Sequence, residues 1–501
     1  MFNLPNFIIK IISDLETAGH EAFAVGGCVR DVLLKREPKD WDVTTKARPE
    51  EILKVFPGGK YENVFGTVLV PVKNDVGETE AVVEITTYRS EQGYSDRRHP
   101  DEIRFEDELD KDLERRDFTI NAMALGRTID QKQLTIDINS GNQMSNVKCQ
   151  MSLIDLFGGQ KDLTKKIIRA VGEPSDRFKE DALRMLRAIR FSVELGFAIE
   201  PKTERAIVKL AGGIKFISGE RIHDELVKIL ASPSPSEGIE LLQQTKLLQY
   251  ILPELERGVG VAQNKHHTHT VFKHSVLSLK FCPSKDWRVR FAALLHDIAK
   301  PQTKRIIGGD ATFYNHDAVG ARVAGKIMSR LKFSTADTEK VTTLIRNHMF
   351  YYNVDEVTAA AVRRLIAKVG KENLEDLIKI RVGDRLGSGV PKAKPYKLRH
   401  LEYMLKRVQT DPVSVKMLKI NGTDLMDELK LAPGPKIGAI LDVLLSEVIE
   451  EPKLNTKEYL TKKSKELDQL DINQLRAKAK EKIEEKKMED DQELKEEFWV
   501  K

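Results

Sequence analysis

The chain has little of what would fix it by covalent links or place it in lipid. Its 501 residues include three cysteines, Cys28, Cys149 and Cys282, which lie far apart. That spacing gives neither a disulfide framework nor a cysteine zinc motif and suits a reducing compartment. No apolar run approaches the length that spans a bilayer. The first apolar stretch, Phe2 to Ile12, is interrupted by Asn6 and Lys10 and followed by acidic residues. It reads as an amphipathic helix rather than a signal peptide. The expectation is a soluble, cytoplasmic protein without a membrane partner. No sign of charge dominates: 82 Lys and Arg against 77 Asp and Glu leave +5, which permits RNA binding without arguing for it. Internal repeats are lacking, and the composition says nothing of oligomeric state.

What is present divides unevenly. Residues 1–150 mix strand-like runs, such as 68–72 and 81–86, with short helices, and a polar stretch at 89–111 reads as a long loop. Residues 128–150 read as a hairpin or connecting insertion. From Asp162 onward the pattern is almost wholly helical. The fold class is therefore α+β, with a small mixed sheet in the head and an all-α remainder. The expected parts are a head over 1–150, a helical neck over 151–254, a histidine-bearing region over 255–392, and C-terminal helices with a charged tail over 393–501. Ser232-Pro233-Ser234-Pro235 marks a turn, and the Lys- and Glu-rich end beyond Lys462 reads as a solvated extension.

Five places carry chemistry. In Ala24-Val25-Gly26-Gly27-Cys28-Val29-Arg30-Asp31, glycines allow close approach to a phosphate, and Arg30 could complement triphosphate charge. Asp40 and Asp42 are two apart, so on a strand they share a face and could hold Mg²⁺. Glu84, between Val83 and Ile85, is either a third carboxylate on a neighbouring strand or an edge residue facing water. In Glu114-Arg115-Arg116-Asp117-Phe118-Thr119-Ile120-Asn121, Arg116 could clamp a triphosphate, while Asp117 or Asn121 could bond a ribose hydroxyl. Asp117 could also cap the helix expected there. Residues 180–191 read as one helix on which Asp181, Arg184 and Arg187, spaced by three, form a stripe. A carboxylate beside a guanidinium offers an acceptor and donors to a base edge. Arg190 falls nearly opposite Asp181 and suits a phosphate or structural contact.

Together these stretches resemble the class II tRNA nucleotidyltransferases, the bacterial-type CCA-adding enzymes and poly(A) polymerases of the polymerase-β superfamily. The matching pattern is Gly26-Gly27-x-x-Arg30-Asp31, Asp40-x-Asp42, Glu114-Arg115-Arg116-Asp117-x-x-x-Asn121, Asp155-x-x-x-Gly159-x-x-Asp162, and Glu180-Asp181-x-x-Arg184-x-x-Arg187-x-x-Arg190. The resemblance implies two-metal catalysis with Mg²⁺ at Asp40 and Asp42. It implies an amino-acid template, Asp181 with Arg184, that selects CTP or ATP. Gly27, Arg30, Arg116, Arg187 and Arg190 would surround the nucleotide, and tRNA would be the acceptor. The segment Tyr88 to Arg98 is not shortened as in members that add only CC, which favours CCA addition while leaving an A-adding enzyme or a poly(A) polymerase open.

The second half resembles the HD phosphohydrolases. His274, His296, Asp297 and Asp384 match their primary metal ligands, and His316 and His348 match positions that support a second metal. The resemblance implies a divalent transition metal and phosphoester hydrolysis, with an inactive, structural domain as the alternative. His266, His267 and His269 read as a surface or linker cluster. Readings of another class are an HD phosphohydrolase with a nucleotide-binding head and a non-catalytic RNA-binding protein.

Overall fold

The computed structural model describes residues 4–63, 66–73, 77–92, 102–127, 151–263, 269–308, 310–350, 353–354, 358–409 and 415–500. The insertion expected over 128–150, the tip of the 89–98 segment and His266 and His267 lie outside the described residues. The chain divides into two compact units, Met1–Arg346 with Gly387–Gly389, and Asn347–Leu386 with Val390–Lys501. That division falls within the expected histidine-bearing region rather than at residue 392.

The head is built on a seven-stranded sheet. Its elements are α1 (Asn6–Thr17), β1 (Ala22–Val25), α2 (Gly27–Leu33), β2 (Trp41–Thr45), α3 (Pro49–Val55), β3 (Lys60–Asn63), β4 (Thr67–Lys73), β5 (Thr79–Thr87), β6 (Arg89–Gln92), β7 (Glu102–Phe105), α4 (Leu109–Glu114), β8 (Ala124–Arg127) and β9 (Met151–Ile154). The sheet order is β3-β4-β5-β2-β1-β8-β9. All four residues of β1 are buried, as an apolar central strand requires. β1 pairs antiparallel with β2 and β8, whereas β2 and β5 run parallel, with Asp42 opposite Glu84. The sheet is therefore mixed, as the sequence suggested. Helix α1 buries Ile8, Ile11, Ile12 and Leu15, one face at helical spacing.

Two local expectations differ. The polar 89–111 stretch is not one long loop, because β6 and β7 pair as a hairpin and α4 follows. The run after Asp117 makes only a 3₁₀ turn, Thr119–Asn121, before β8. Asp117 accepts from the Phe118 amide at 2.8 Å, but Phe118 is the N-cap of this turn and no side chain caps it, so the capping role expected for Asp117 is not seen.

The neck comprises α5 (Gly159–Lys165), β10 (Ile167–Ile168), α6 (Pro174–Glu180), α7 (Leu183–Leu195), β11 (Ala198–Ile199), α8 (Pro201–Leu210), α9 (Gly219–Ala231), α10 (Pro235–Gln244), α11 (Leu248–Ile251) and α12 (Pro253–Glu256). The Ser-Pro run forms the α9–α10 turn, with Pro235 in the first turn of α10, where its missing N–H costs nothing. The expected single helix over 180–191 is broken. Asp181 ends α6 with φ −136° and ψ 106°, and its carboxylate accepts from the Leu183 amide at 2.9 Å. A short acidic side chain that bonds nearby backbone competes with helix continuation.

The first unit ends with α13 (Val271–Phe281), α14 (Trp287–Leu295), α15 (Lys300–Thr303), the hairpin β12 (Arg305–Ile307) and β13 (Asp310–Thr312), α16 (His316–Arg330) and α17 (Thr335–Arg346). The second unit holds α18 (Ala359–Val369), α19 (Leu374–Gly387), α20 (Tyr396–Gln409), α21 (Gly422–Leu429), α22 (Pro435–Glu450), α23 (Lys457–Leu467) and α24 (Ile472–Glu497). Asn421 caps α21 in a reciprocal box with Asp424. The end of the chain is more than a solvated extension. Leu460, Leu467, Leu475 and Ala479 are buried with Ile440 and Leu444 of α22, and Asp491 bonds Tyr403 of α20. The charged surface of these helices concealed a regular apolar stripe. Among the described residues, no helix is long and apolar enough to cross a membrane.

Candidate active site and histidine cluster

A cleft of about 510 Å³ opens between the sheet and α7. Gly26, Gly27, Arg30, Asp40 and Asp42 line one side of it. Arg116, Asp117 and Asn121 line it from the segment before β8, and Asp181, Arg184, Arg187 and Arg190 from the neck. Every nucleotide-binding residue singled out in the sequence thus reaches one cavity. Glu84 does not line it but stands in register beside Asp42.

The head side is a set of charges held by their neighbours. Gly26 has φ +83°, a region open to glycine, and a Cβ there would lie 2.9 Å from Arg116 Nη1 and 3.6 Å from Asp42 Oδ2. The missing side chain therefore lets Arg116 and Asp42 face each other. Burial pushes the Asp42 carboxyl above its usual range, Arg116 pulls it down, and Asp40 pushes it up. Glu84 is raised by burial and then by Asp42, Glu62 and Asp40. Arg30 forks onto Asp31 at 2.9 and 3.0 Å and donates to Asn121 Oδ1 at 2.8 Å.

Asp112 of α4 is the organiser that the sequence reading missed. It is fully buried, accepts from Arg115 at 2.7 Å and Arg116 at 3.1 Å, and takes the Thr44 hydroxyl at 3.3 Å. Burial alone would raise its carboxyl, but the two guanidinium groups hold it at about 2. Its spacing of three and four from Arg115 and Arg116 was the available signal.

On the neck side, Asp117 accepts from the Phe118 amide, Asn121 Nδ2 (3.1 Å), and Arg187 Nε and Nη2 (2.7 and 2.6 Å). These four bonds meet the lone pairs of Asp117 and brace Arg187. Burial opposes its ionisation, but Arg187 and Asn121 keep it at about 2. Arg184 pairs with Glu180 at 2.6 Å and donates to the Arg115 carbonyl at 2.9 Å. Asp181 pairs with Arg221 of α9 at 2.7 Å. The expected Asp181–Arg184 stripe on one helix is therefore replaced by two residues held separately on either side of a helix break. Arg190 is buried against Glu225 at 3.2 Å and lies 4.2 Å from the Phe191 ring centroid. Arg30 and Arg187 also lie over that ring, at 5.2 and 5.3 Å.

The second cluster is compact. His274 Nε2, His296 Nε2 and Asp297 Oδ2 form a triangle with each side 3.2 Å. His316 Nε2 lies 3.3 Å from Asp297 Oδ1. His296 Nδ1 bonds the Ala293 carbonyl at 2.8 Å and His316 Nδ1 bonds that of Phe313 at 2.7 Å. With Nδ1–H donating to a carbonyl, each ring is fixed in one tautomer with Nε2 turned toward Asp297. Lys300 Nζ is 2.7 Å from Asp297 Oδ2 and 2.7 Å from Gln263 Oε1. The Asp297 carboxyl is held well below its usual range, because His296, Lys300 and His274 outweigh burial. His348 and Asp384 are buried in the second unit, where Asp384 pairs with Arg381 at 2.5 Å.

Three family descriptions match the chain in order: "Poly A polymerase head domain" at 22–169, "Probable RNA and SrmB-binding site of polymerase A" at 196–258, and a tRNA nucleotidyltransferase domain 2 at 315–463. The CCA-adding enzyme of Ligilactobacillus salivarius is 32% identical over 471 residues, 93% of this chain and 98% of that protein. The chain belongs to the tRNA nucleotidyltransferase and poly(A) polymerase family. The A-adding tRNA nucleotidyltransferase of Deinococcus radiodurans is another relative, 34% identical over 352 residues, 67% of this chain and 74% of that protein. Among solved structures, the Bacillus stearothermophilus CCA-adding enzyme in complex with CTP is similar over 93% of this chain and 98% of that one, with 26% identity and a TM-score of 0.57. Within this nucleotidyltransferase, the head match contains Asp40, Asp42, Asp112 and Arg116, and Arg221 falls in the second matched region. Arg221 and Lys300 gave little sequence signal, since each finds its partner only through folding: Arg221 across forty positions, Lys300 within a buried turn.

Proposed function

We propose that this chain adds CCA to the 3′ end of tRNA from CTP and ATP, without a nucleic-acid template. The carrying observation is the single cleft in which Asp40 and Asp42 stand on one side, Asp181 and Arg184 on the other, and arginines between them. The carboxylates fit a divalent cation, since Asp40, Asp42 and Glu84 repel one another across a small space. Mg²⁺ held by Asp40 and Asp42 would polarise the attacking hydroxyl and neutralise the leaving pyrophosphate. The tRNA 3′-hydroxyl attacks the α-phosphorus of the nucleotide, and the bond to pyrophosphate breaks. Arg30, Arg116 and Arg187, already oriented by Asn121, Asp112 and Asp117, meet the triphosphate charge without reorganising. Asp181 accepts from the exocyclic amino group that cytosine and adenine share, and Arg184 donates to the adjacent ring nitrogen. Uracil and guanine present the opposite pattern.

The test uses three tRNAs, ending before CCA, after C and after CC, with CTP and ATP supplied singly and together. Full addition to the first substrate supports the reading. Addition of A only to the tRNA ending in CC would assign the A-adding activity named for the Deinococcus relative. No nucleotide addition to any of the three would overturn the assignment.

A second reading concerns the histidine cluster, as a divalent-metal phosphoesterase site of HD type. A metal about 2.0–2.1 Å from tetrahedral ligands sets them roughly 3.4 Å apart, close to the 3.2 Å sides of the His274–His296–Asp297 triangle. A metal there would act as a Lewis acid on a phosphoester. Metal analysis of the purified chain and hydrolysis of 2′,3′-cyclic phosphates test it, and a metal-free, inactive chain would leave the cluster a structural one.

A further inference from the structure

We propose that Arg221 is a positioning residue for base selection, acting through Asp181. The inference rests on the reading of Asp181 as an acceptor for the base. Asp181 lies in an extended break between α6 and α7, where its backbone still bonds Arg177 and Arg184 but its carboxylate is not held by a side chain at helical spacing. Its carboxylate is fixed instead from α9. Arg221 Nη2 reaches Oδ2 at 2.7 Å and Nη1 reaches Oδ1 at 3.3 Å. A planar fork on a planar carboxylate sets both distance and plane. Arg221 is itself well anchored: α9 buries Ile222 and Leu226, and its Glu225 binds Arg190 of α7. The bridge therefore ties the base-facing carboxylate to the helix that also braces the neck arginines.

A count of acceptor directions sharpens this. A carboxylate has about four lone-pair sites. Arg221 takes two, and the Leu183 amide takes a third at 2.9 Å. One direction remains for an incoming donor, and a single amino group is what distinguishes cytosine from uracil at that position. Without Arg221 the carboxylate can rotate and accept from, or hydrate against, several directions, so discrimination falls more than binding does.

A mutant cycle on the full-length chain tests this, with CTP and UTP on a tRNA ending before CCA. Arg221→Ala is expected to lower the CTP-over-UTP ratio of kcat/KM by roughly tenfold, with Arg221→Lys restoring part of it. In an Asp181→Ala background, Arg221→Ala should change the ratio by less than about twofold, because its effect runs through the missing carboxylate. Arg221→Gln carries the same comparison if the alanine variant does not fold, with melting temperature as the check. An equal rise in KM for CTP and UTP at an unchanged ratio would make Arg221 a triphosphate contact and overturn the inference. A ratio preserved in Arg221→Ala and lost in Asp181→Ala would refute the inference alone. A ratio preserved in Asp181→Ala would remove the base-reading role and the inference with it.

Discussion

The cleft and the histidine cluster use ion pairs to opposite ends. In the cleft, carboxylates stand behind arginines: Asp112 behind Arg116, Asp117 behind Arg187, Asp31 behind Arg30. Each pair keeps its guanidinium turned toward a cavity of about 510 Å³. In the cluster, three histidines and a lysine turn inward on the single carboxylate of Asp297, every partner within 3.3 Å. The first arrangement leaves spread positive charge around a space for a large polyanion. The second leaves converging lone pairs around a point, which suits a small cation. Charge placement, more than residue type, separates the two sites.

Asp42→Ala is expected to have the largest effect. Nucleotide addition should fall by at least ~10³-fold, while tRNA affinity stays within about twofold and the metal content of the cluster is unchanged. A retained rate would remove Asp42 from catalysis. Asp112→Asn comes next. It uncouples a buried carboxylate from two half-buried guanidinium groups and is expected to cost roughly 3 kcal/mol in a denaturant melt, with KM rising for CTP and ATP alike. Asp112 and Asp117 both sit at about 2, below an ordinary carboxylate. Their stabilisation is complete above the unfolded value of about 3.9 and is lost as pH falls toward 2. The Asn variant should therefore show a flatter acid limb of stability. Asp297→Ala should lower bound metal by about one ion per chain and leave nucleotide addition within about twofold. Loss of nucleotide addition together with the metal would mean that the cluster supports the fold.

These pairs also explain what was legible. The chemistry-bearing residues of the cleft stood out because short motifs place several of them on one turn or strand, as with Gly26, Gly27 and Arg30. Their partners did not. Asp112 looks like one more acid on a charged helix until burial shows it facing two arginines. Asp181 reads as helical by spacing, yet its side chain takes the Leu183 amide and ends the helix, a local competition that periodicity cannot register. The burial of the last two helices went unread for a related reason: their few apolar anchors, Leu460, Leu467, Leu475 and Ala479, are diluted by Lys and Glu.

Glu84 gives the finest distinction, because its two readings differ in pH dependence rather than in presence or absence. It stands opposite Asp42 on a parallel strand, and burial with the charges of Asp42, Glu62 and Asp40 raises its carboxyl. Asp42 is raised too. A raised carboxyl loses its charge at a higher pH than a free one, so nucleotide addition should decline on the acid side earlier than an ordinary aspartate would dictate. More Mg²⁺ favours the ionised form and should shift that limb to lower pH. If Glu84 acts only through its field, Glu84→Gln removes one repulsion and moves the limb down by roughly half a unit, under about 1 kcal/mol, with the plateau rate within about threefold. If it holds a catalytic ion, the plateau itself falls by ~100-fold or more. A pH–rate profile at two Mg²⁺ concentrations separates a neighbour from a ligand, since only a ligand's loss raises the Mg²⁺ requirement at neutral pH.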